Sequence, residues 1–380
     1  MSIVNEYPNL QNNNNPYSQV FLSMVMIVLI YGLPVFLAYI ISVLLEPIVS
    51  LYIIQPAELL VSPAPLFFQS FIVGDYGILS LGMFSFFWAF PVVILVGISI
   101  AVTQESNLKE RAVFSLDPIL RKAGLTGQSI IPVLTGYGCN VVAVFQSRAC
   151  HACTRKQCIS MISFGSACSY QIGATLSIFN VANQPWLFLP YIIILFIMGA
   201  VHTRLWYGKT EKLSVGFLKN RGLRKPGAGP IFNRLKSTIQ QFFYQAMPIF
   251  LLICIAAFLL DEIGVMSFLI KVSEPVFSML SLPMEAGAGL FFSILRKDGI
   301  LLFNQGGGSL LASLSAGEIF VLVYLASTLS GCLVTIWTIG KEIGIQHALR
   351  HVYKQAITAV VSALALLYLL RGIEFLLGMI

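Results

Sequence analysis

The chain has 380 residues, of which 57% are hydrophobic and 10% charged, with a mean hydropathy of +0.85 and a formal net charge of +7. A soluble domain carries about 25% charged residues, so this composition excludes a globular protein in water and makes lipid the matching solvent. Seven cysteines, several inside apolar runs, argue against a disulfide framework, and nucleic acid is not expected among the partners.

Residues 1–18 hold no Lys or Arg and read as a disordered polar lead. The first apolar run, from Val20 to Leu45, exceeds the roughly 7–15 residues of a signal-peptide core, so it is expected to stay as a membrane helix. Residues 19–77 are read as that helix and an external loop. In all, seven runs have spanning length: about 19–45, 78–103, 158–179, 186–206, 239–260, 318–340 and 356–377. Two further stretches, Ser129–Ser147 and Met284–Phe303, are shorter and interrupted by glycine.

Charge places these runs. The segments 104–125, 147–156, 204–237 and 341–354 hold 19 of the 23 Lys and Arg residues, whereas 46–66, 180–185 and 304–317 hold none. Basic segments stay in the cytoplasm. Ser129–Ser147 has basic flanks on both sides and Met284–Phe303 has base-poor flanks on both sides. Each therefore enters and leaves by one face, as a re-entrant hairpin whose backbone needs protein or water around it. The expectation is an all-α polytopic protein of the cell inner membrane, with about seven transmembrane helices and two re-entrant hairpins in an inverted-topology repeat. The repeats are 78–206 and 238–380, joined by a basic cytoplasmic loop over 207–237, with the N-terminus cytoplasmic and the C-terminus external. A hairpin that crossed fully would reverse everything after it and scatter the basic residues to both faces.

The first hairpin carries Gly136-Tyr137-Gly138-Cys139-Asn140, where two glycines permit a sharp bend. A thiolate there is a soft metal ligand and the amide a harder one, although a buried cysteine is often only a small hydrophobe. The next run is rich in small polar residues (Ser163, Gly165, Ser166, Cys168, Ser169, Gly173), which suits either close helix packing or a polar pathway. A third membrane cysteine, Cys332, follows Ser327, Thr328, Ser330 and Gly331. In the second hairpin Glu285, Arg296, Lys297 and Asp298 interrupt apolar sequence. Intramembrane charge points to function, and a gating or structural ion pair, or a hydrated tip, fits them better than metal ligation. The cytoplasmic Cys150, His151, Cys153 and Cys158 offer a soft-ligand cluster for iron or zinc, or a set of reduced thiols. His347 and His351, one helical turn apart, read as a solvated face. The basic loop suits anionic lipid or a cytoplasmic partner.

These residues carry a resemblance. Gly124-Leu125, Gly127, Ser129, Ile131-Pro132, Gly136–Val141, Arg148 and Cys168-Ser169 resemble the first gate segment of the ferrous iron transport protein B family. Cys332 and Lys341-Glu342 resemble a later family segment, and Arg296–Asp298 stands where the second gate has a Lys-Glu pair. Val142, Tyr170–Gly173 and Gly331 depart from the family pattern, and no phosphate-cradling G-x-x-x-x-G-K-[ST] motif occurs. The resemblance implies a divergent, stand-alone relative without the GTPase, transporting a divalent cation, most of all ferrous iron, between two gate repeats. Cys139, Cys168 and Cys332 would handle the metal with Asn140, Ser166 and Ser169, and Glu285, Lys297, Asp298 and Glu342 would gate. It implies no resident cofactor, membrane lipid and the metal as partners, a GTPase supplied in trans, and a homo-oligomer. A non-transporting sensor or scaffold, or a nucleoside-recognising membrane protein, is the alternative. No catalytic constellation marks an enzyme.

Overall fold

The computed structural model describes residues 16–74, 77–106, 125, 127–150, 154–208, 225–280 and 282–376, and every described element is helical. Helix α1 (Pro16–Val49) runs through a π turn at Ser50–Ile54 into α2 (Gln55–Val61), followed by α3 (Leu66–Val73) and α4 (Ser80–Glu105). Val28, Leu29, Leu33, Phe36 and Leu44 of α1 are exposed. In water that surface would aggregate; against lipid it is matched. Among the described residues, five helical stretches are long and apolar enough to cross a membrane: Val28–Val61, Phe86–Thr103, Pro185–Tyr207, Ala316–Ile343 and Ile345–Gly372.

Two successions of elements repeat one plan. After α4 comes a hairpin, α5 (Gly127–Gly136) and α6 (Asn140–Gln146), then α7 (Arg155–Gly165), α8 (Ser169–Val181) and α9 (Phe188–Tyr207). The second succession begins with α10 (Ala228–Gln241), which passes through a π turn at Phe242–Ala246 into α11 (Met247–Glu262), and α12 (Val265–Met279). Its hairpin is α13 (Ala286–Leu295) with a 3-10 helix at Lys297–Asn304, followed by α14 (Gln305–Ala312), α15 (Ala316–Thr328), α16 (Leu333–Ile343) and α17 (Ile345–Leu376). The apolar runs 158–179 and 318–340 are thus each two half-helices. Small, polar, weakly helical residues make the interruptions: Ser166–Cys168 in the first, Leu329–Cys332 in the second.

Glycine lets these pieces approach. A Cβ on Gly199 of α9 would lie 2.4 Å from the Gly165 Cα at the end of α7, and one on Gly173 of α8 would lie 2.4 Å from the Trp88 carbonyl oxygen of α4. Backbones meet where small residues allow it, the usual basis of helix association in lipid. Gly199→Leu is therefore expected to prevent α7 and α9 from docking. The check is size-exclusion of the detergent-solubilised protein, where the variant should lose the monodisperse peak and a Gly199→Ala variant should keep part of it.

Each hairpin also packs on the broken helix of the opposite repeat: α6 lies against α16, and the 3-10 segment of the second hairpin lies against α8. The interruptions and both hairpin tips thereby converge between the repeats.

Candidate functional site

Three of the cysteines occupy equivalent positions. Cys139, Cys168 and Cys332 are the N-caps of α6, α8 and α16, each with extended backbone (φ/ψ −153/118, −69/164 and −63/155). The aligned peptide dipoles of a helix favour negative charge at this end. Cys168 is buried, Cys332 half-buried and Cys139 exposed, and Cys332 Sγ lies 3.0 Å from Thr335 Oγ1. Among the described residues no group of three or more His, Cys, Asp or Glu stands close enough to hold a metal ion. In this conformation the thiols mark three separate chain breaks.

The first hairpin grips the first break. The Tyr137 hydroxyl donates to the Gly165 carbonyl at the C-terminus of α7 (3.1 Å). The Ser169 backbone N–H and hydroxyl both donate to the Gly138 carbonyl (3.1 and 2.9 Å). The buried Asn140 Oδ1 lies 3.0 Å from Ser166 Oγ, which is also 2.6 Å from the Ile162 carbonyl.

The second hairpin repeats the grip with a charge. Lys297, 2% exposed, donates its ammonium to the carbonyls of Ala326 (3.1 Å) and Ser327 (2.8 Å) at the C-terminus of α15. It is neither a hydrated tip nor dependent on an acidic neighbour for these bonds. The preceding Arg296 places its guanidinium 4.2 Å from the Tyr170 ring centroid. Glu285 is exposed at the N-cap of α13, and the Asp298 side chain lies outside the described residues.

Gln355, which the sequence reading left at the edge of the last span, joins the two breaks. It is fully buried on α17, and its Nε2 donates to the carbonyls of Thr328 (2.9 Å) and Ser163 (3.2 Å), at the C-terminal ends of α15 and α7. Its Oε1 accepts from the Ser163 hydroxyl (2.8 Å). The signal was a lone amide entering an apolar run. Gln355→Leu leaves both carbonyls and a hydroxyl without their partner, at about 1–3 kcal/mol for each buried polar group stranded. A lower unfolding midpoint in detergent is expected, with Gln355→Glu retaining the Ser163 hydroxyl bond and falling less.

Glu342 at the end of α16 is shared by two arginines. Arg148, just after α6, donates Nε to Oε2 (2.8 Å) and Nη2 to Oε1; Arg155, opening α7, donates Nη2 to Oε2 (2.5 Å). The carboxylate side chain is 7% exposed. Of the Cys150, His151, Cys153 and Cys158 cluster, Cys150 and Cys158 are buried, and the Cys158 thiol donates to the Ser129 carbonyl (3.5 Å). His151 and Cys153 lie outside the described residues. His347 is exposed as expected, but His351 is buried against α9, so the two do not share a solvated face.

Residues 86–182, from α4 through α8, match the family described as Gate: Nucleoside recognition. The chain is 23% identical over 321 residues to the Fe(2+) transporter FeoB of Staphylococcus aureus, covering 76% of this chain and 46% of that protein. It is 28% identical over 82 residues to an Fe(2+) transport protein A/Fe(2+) transporter FeoB fusion protein of Porphyromonas gingivalis, covering 22% of this chain and 10% of that one. The chain thus spans less than half the length of these relatives. A solved structure of a CNTnw double variant in an outward-facing state shares the fold, with a TM-score of 0.52 and 12% identity over 92% of this chain and 99% of that chain. Residues 86–182 accordingly carry the match to the Gate family, within a multi-pass membrane chain that resembles the Fe(2+) transporter FeoB over 76% of its length.

Proposed function

We propose that this chain moves a divalent metal cation, ferrous iron before others, across the membrane between its two gate repeats. The observation that supports the reading is the recurrence of cysteine as the N-cap at three chain breaks. Interrupted helices whose ends face a central site are a transporter device. Thiolates of Cys139, Cys168 and Cys332, with oxygens of Asn140, Ser166 and Ser169, favour Fe2+, Zn2+, Cu+ and Ni2+ over Mg2+ and Ca2+. Similarity to Fe(2+) transporters points to iron within that set. The C-terminal ends of α7 and α15 add the negative ends of two dipoles. Since the sulfurs do not form a cage here, the ion gathers them as the hairpins shift, each against the opposite repeat. The metal is cargo. The basic loop 207–237 faces the cytoplasm, where a GTPase acts in trans, and the chain works as a homo-oligomer with its N-terminus cytoplasmic and its C-terminus external.

A second reading has its own support. A fixed ammonium, Lys297, at the centre of the site suits an uncharged or anionic ligand, and the matched family is described by nucleoside recognition. Flux into vesicles reconstituted with the purified chain separates the two. Saturable entry of Fe2+, competed by Zn2+ but not by uridine or adenosine, is expected. Entry of a labelled nucleoside without metal dependence overturns the metal reading, and tight binding with no flux of either substrate makes the chain a sensor.

A further inference from the structure

Two buried histidines face each other across α9 and α17, well away from the cysteines. His202 is fully buried and His351 is 3% exposed, and their ring centroids are 6.0 Å apart at an interplanar angle of 71°. Each Nδ1 is held by a hydroxyl of the opposite helix: His202 Nδ1 lies 2.9 Å from Thr358 Oγ1, and His351 Nδ1 lies 2.9 Å from the Tyr207 hydroxyl. Neither Nε2 has a hydrogen-bond partner among the described residues.

The hydrogen bonds at Thr358 suit one tautomer of His202. With the Thr358 hydroxyl proton on the Lys354 carbonyl (3.0 Å) and Thr358 Oγ1 accepting from Trp206 Nε1 (2.8 Å), Nδ1 of His202 is the donor and its Nε2 is a bare lone pair; in the other tautomer Thr358 donates to Nδ1 and Nε2 carries the hydrogen. The ring is also stacked on Phe164, with centroids 4.6 Å apart, which locks its plane. A phenol both donates and accepts, so Tyr207 can take the Nδ1 proton of His351 and expose its Nε2 in the same way. An Nδ1–H held by an oxygen acceptor is the support that metal-binding histidines normally have. A buried acceptor without a partner costs about 1–3 kcal/mol, so two of them on facing helices call for something between them.

We propose that His202 and His351 form a separate two-nitrogen site for one borderline divalent cation, completed by water. Two metal–nitrogen bonds of about 2.0–2.1 Å span up to about 4 Å, a separation that rings at this centroid distance allow. The groups touching the rings are hydroxyls and aromatic faces. The nearby Lys354 ammonium is drawn over the rings of Tyr207 (4.6 Å) and Trp206 (5.3 Å). With positive charge close by, an ion held by charge alone is rejected, and one that bonds imidazole covalently is kept. The ligand class is therefore Co2+, Ni2+, Zn2+ or Fe2+, not Na+, Mg2+ or Ca2+.

The test is a Co2+ titration of the full chain in lipid nanodiscs, read by equilibrium dialysis and by visible absorption. One Co2+ per chain with nitrogen-type bands is expected. It should disappear in both His202→Gln and His351→Gln and persist in a variant with Ser at positions 139, 168 and 332. Tyr207→Phe, which keeps both ligands, should weaken binding about 10–100-fold. Size-exclusion of each variant verifies folding. Co2+ binding that ignores both histidine changes, or no Co2+ binding by the unaltered chain, overturns the site and leaves the pair bridged by water. Because the variant lacking Cys139, Cys168 and Cys332 is included, this result stands or falls apart from that of iron flux.

Discussion

Replacing Lys297 with Met is expected to lower the unfolding midpoint in detergent by several degrees and to cut metal flux at least about tenfold. The ammonium is the donor recorded for two carbonyls at the C-terminus of α15, inside a region where Ala326, Ser327 and Thr328 are buried. Methionine keeps the length and the apolar stem but leaves both acceptors empty, at about 1–3 kcal/mol each. The effect on flux has a further cause. Lys297 ties the tip of the second hairpin to the end of α15, so its loss frees the tip from the break that Cys332 closes. Tenfold corresponds to about 1.4 kcal/mol of barrier, well within what two stranded acceptors can shift. Thermal unfolding followed by tryptophan fluorescence, with flux measured on the same preparation, checks both. An unchanged midpoint would show that the two carbonyls find other donors and that Lys297 does not hold the hairpin.

The second large effect is expected at Glu342. Its carboxylate gathers Arg148 from the first hairpin and Arg155 from α7 onto the end of α16, a contact between the two repeats. Charge-assisted, forked arginine bonds are the strong class, and the amide of Glu342→Gln accepts through one oxygen only and carries no charge. The first hairpin should then part from α16 on that face. An impermeant maleimide added from the cytoplasmic side should label Cys139 about tenfold faster, equal to about 1.4 kcal/mol of bias toward the open arrangement. Labelling is to be compared in a background lacking the other cysteines. Unaltered labelling would mean that the ion pairs decorate a contact held by packing.

The hairpins were legible as two short apolar stretches interrupted by glycine, and each is seen as two short helical pieces. The half-helices were not. A three- or four-residue interruption such as Ser166–Cys168 barely lowers the mean hydropathy of a twenty-residue window, so 158–179 read as one span. Its small residues were read as either packing or pathway; Gly165 packs against Gly199, and Ser166 and Ser169 are hydrogen-bonded to the first hairpin. Lys297 was conspicuous as an intramembrane charge, but its partners were not, because they are backbone carbonyls 29 and 30 residues away rather than side chains with a signature. His351 was misread for a related reason. Its spacing from His347 was visible, but α17 turns one residue outward and the other onto α9, and the partner residues Tyr207 and His202 lie far along the chain. Gln355 was overlooked because a single amide beside an apolar run looks like the end of a loop.

Radio-iron uptake into vesicles containing the purified chain, with and without Cys139→Ser at equal protein density, addresses the permeation reading at its narrowest point. Uptake that is saturable in the unaltered chain and falls to the level of empty vesicles in the variant is the result expected of sulfur at the bend of the first hairpin. Equal uptake by both would contradict a route along the three N-cap thiols.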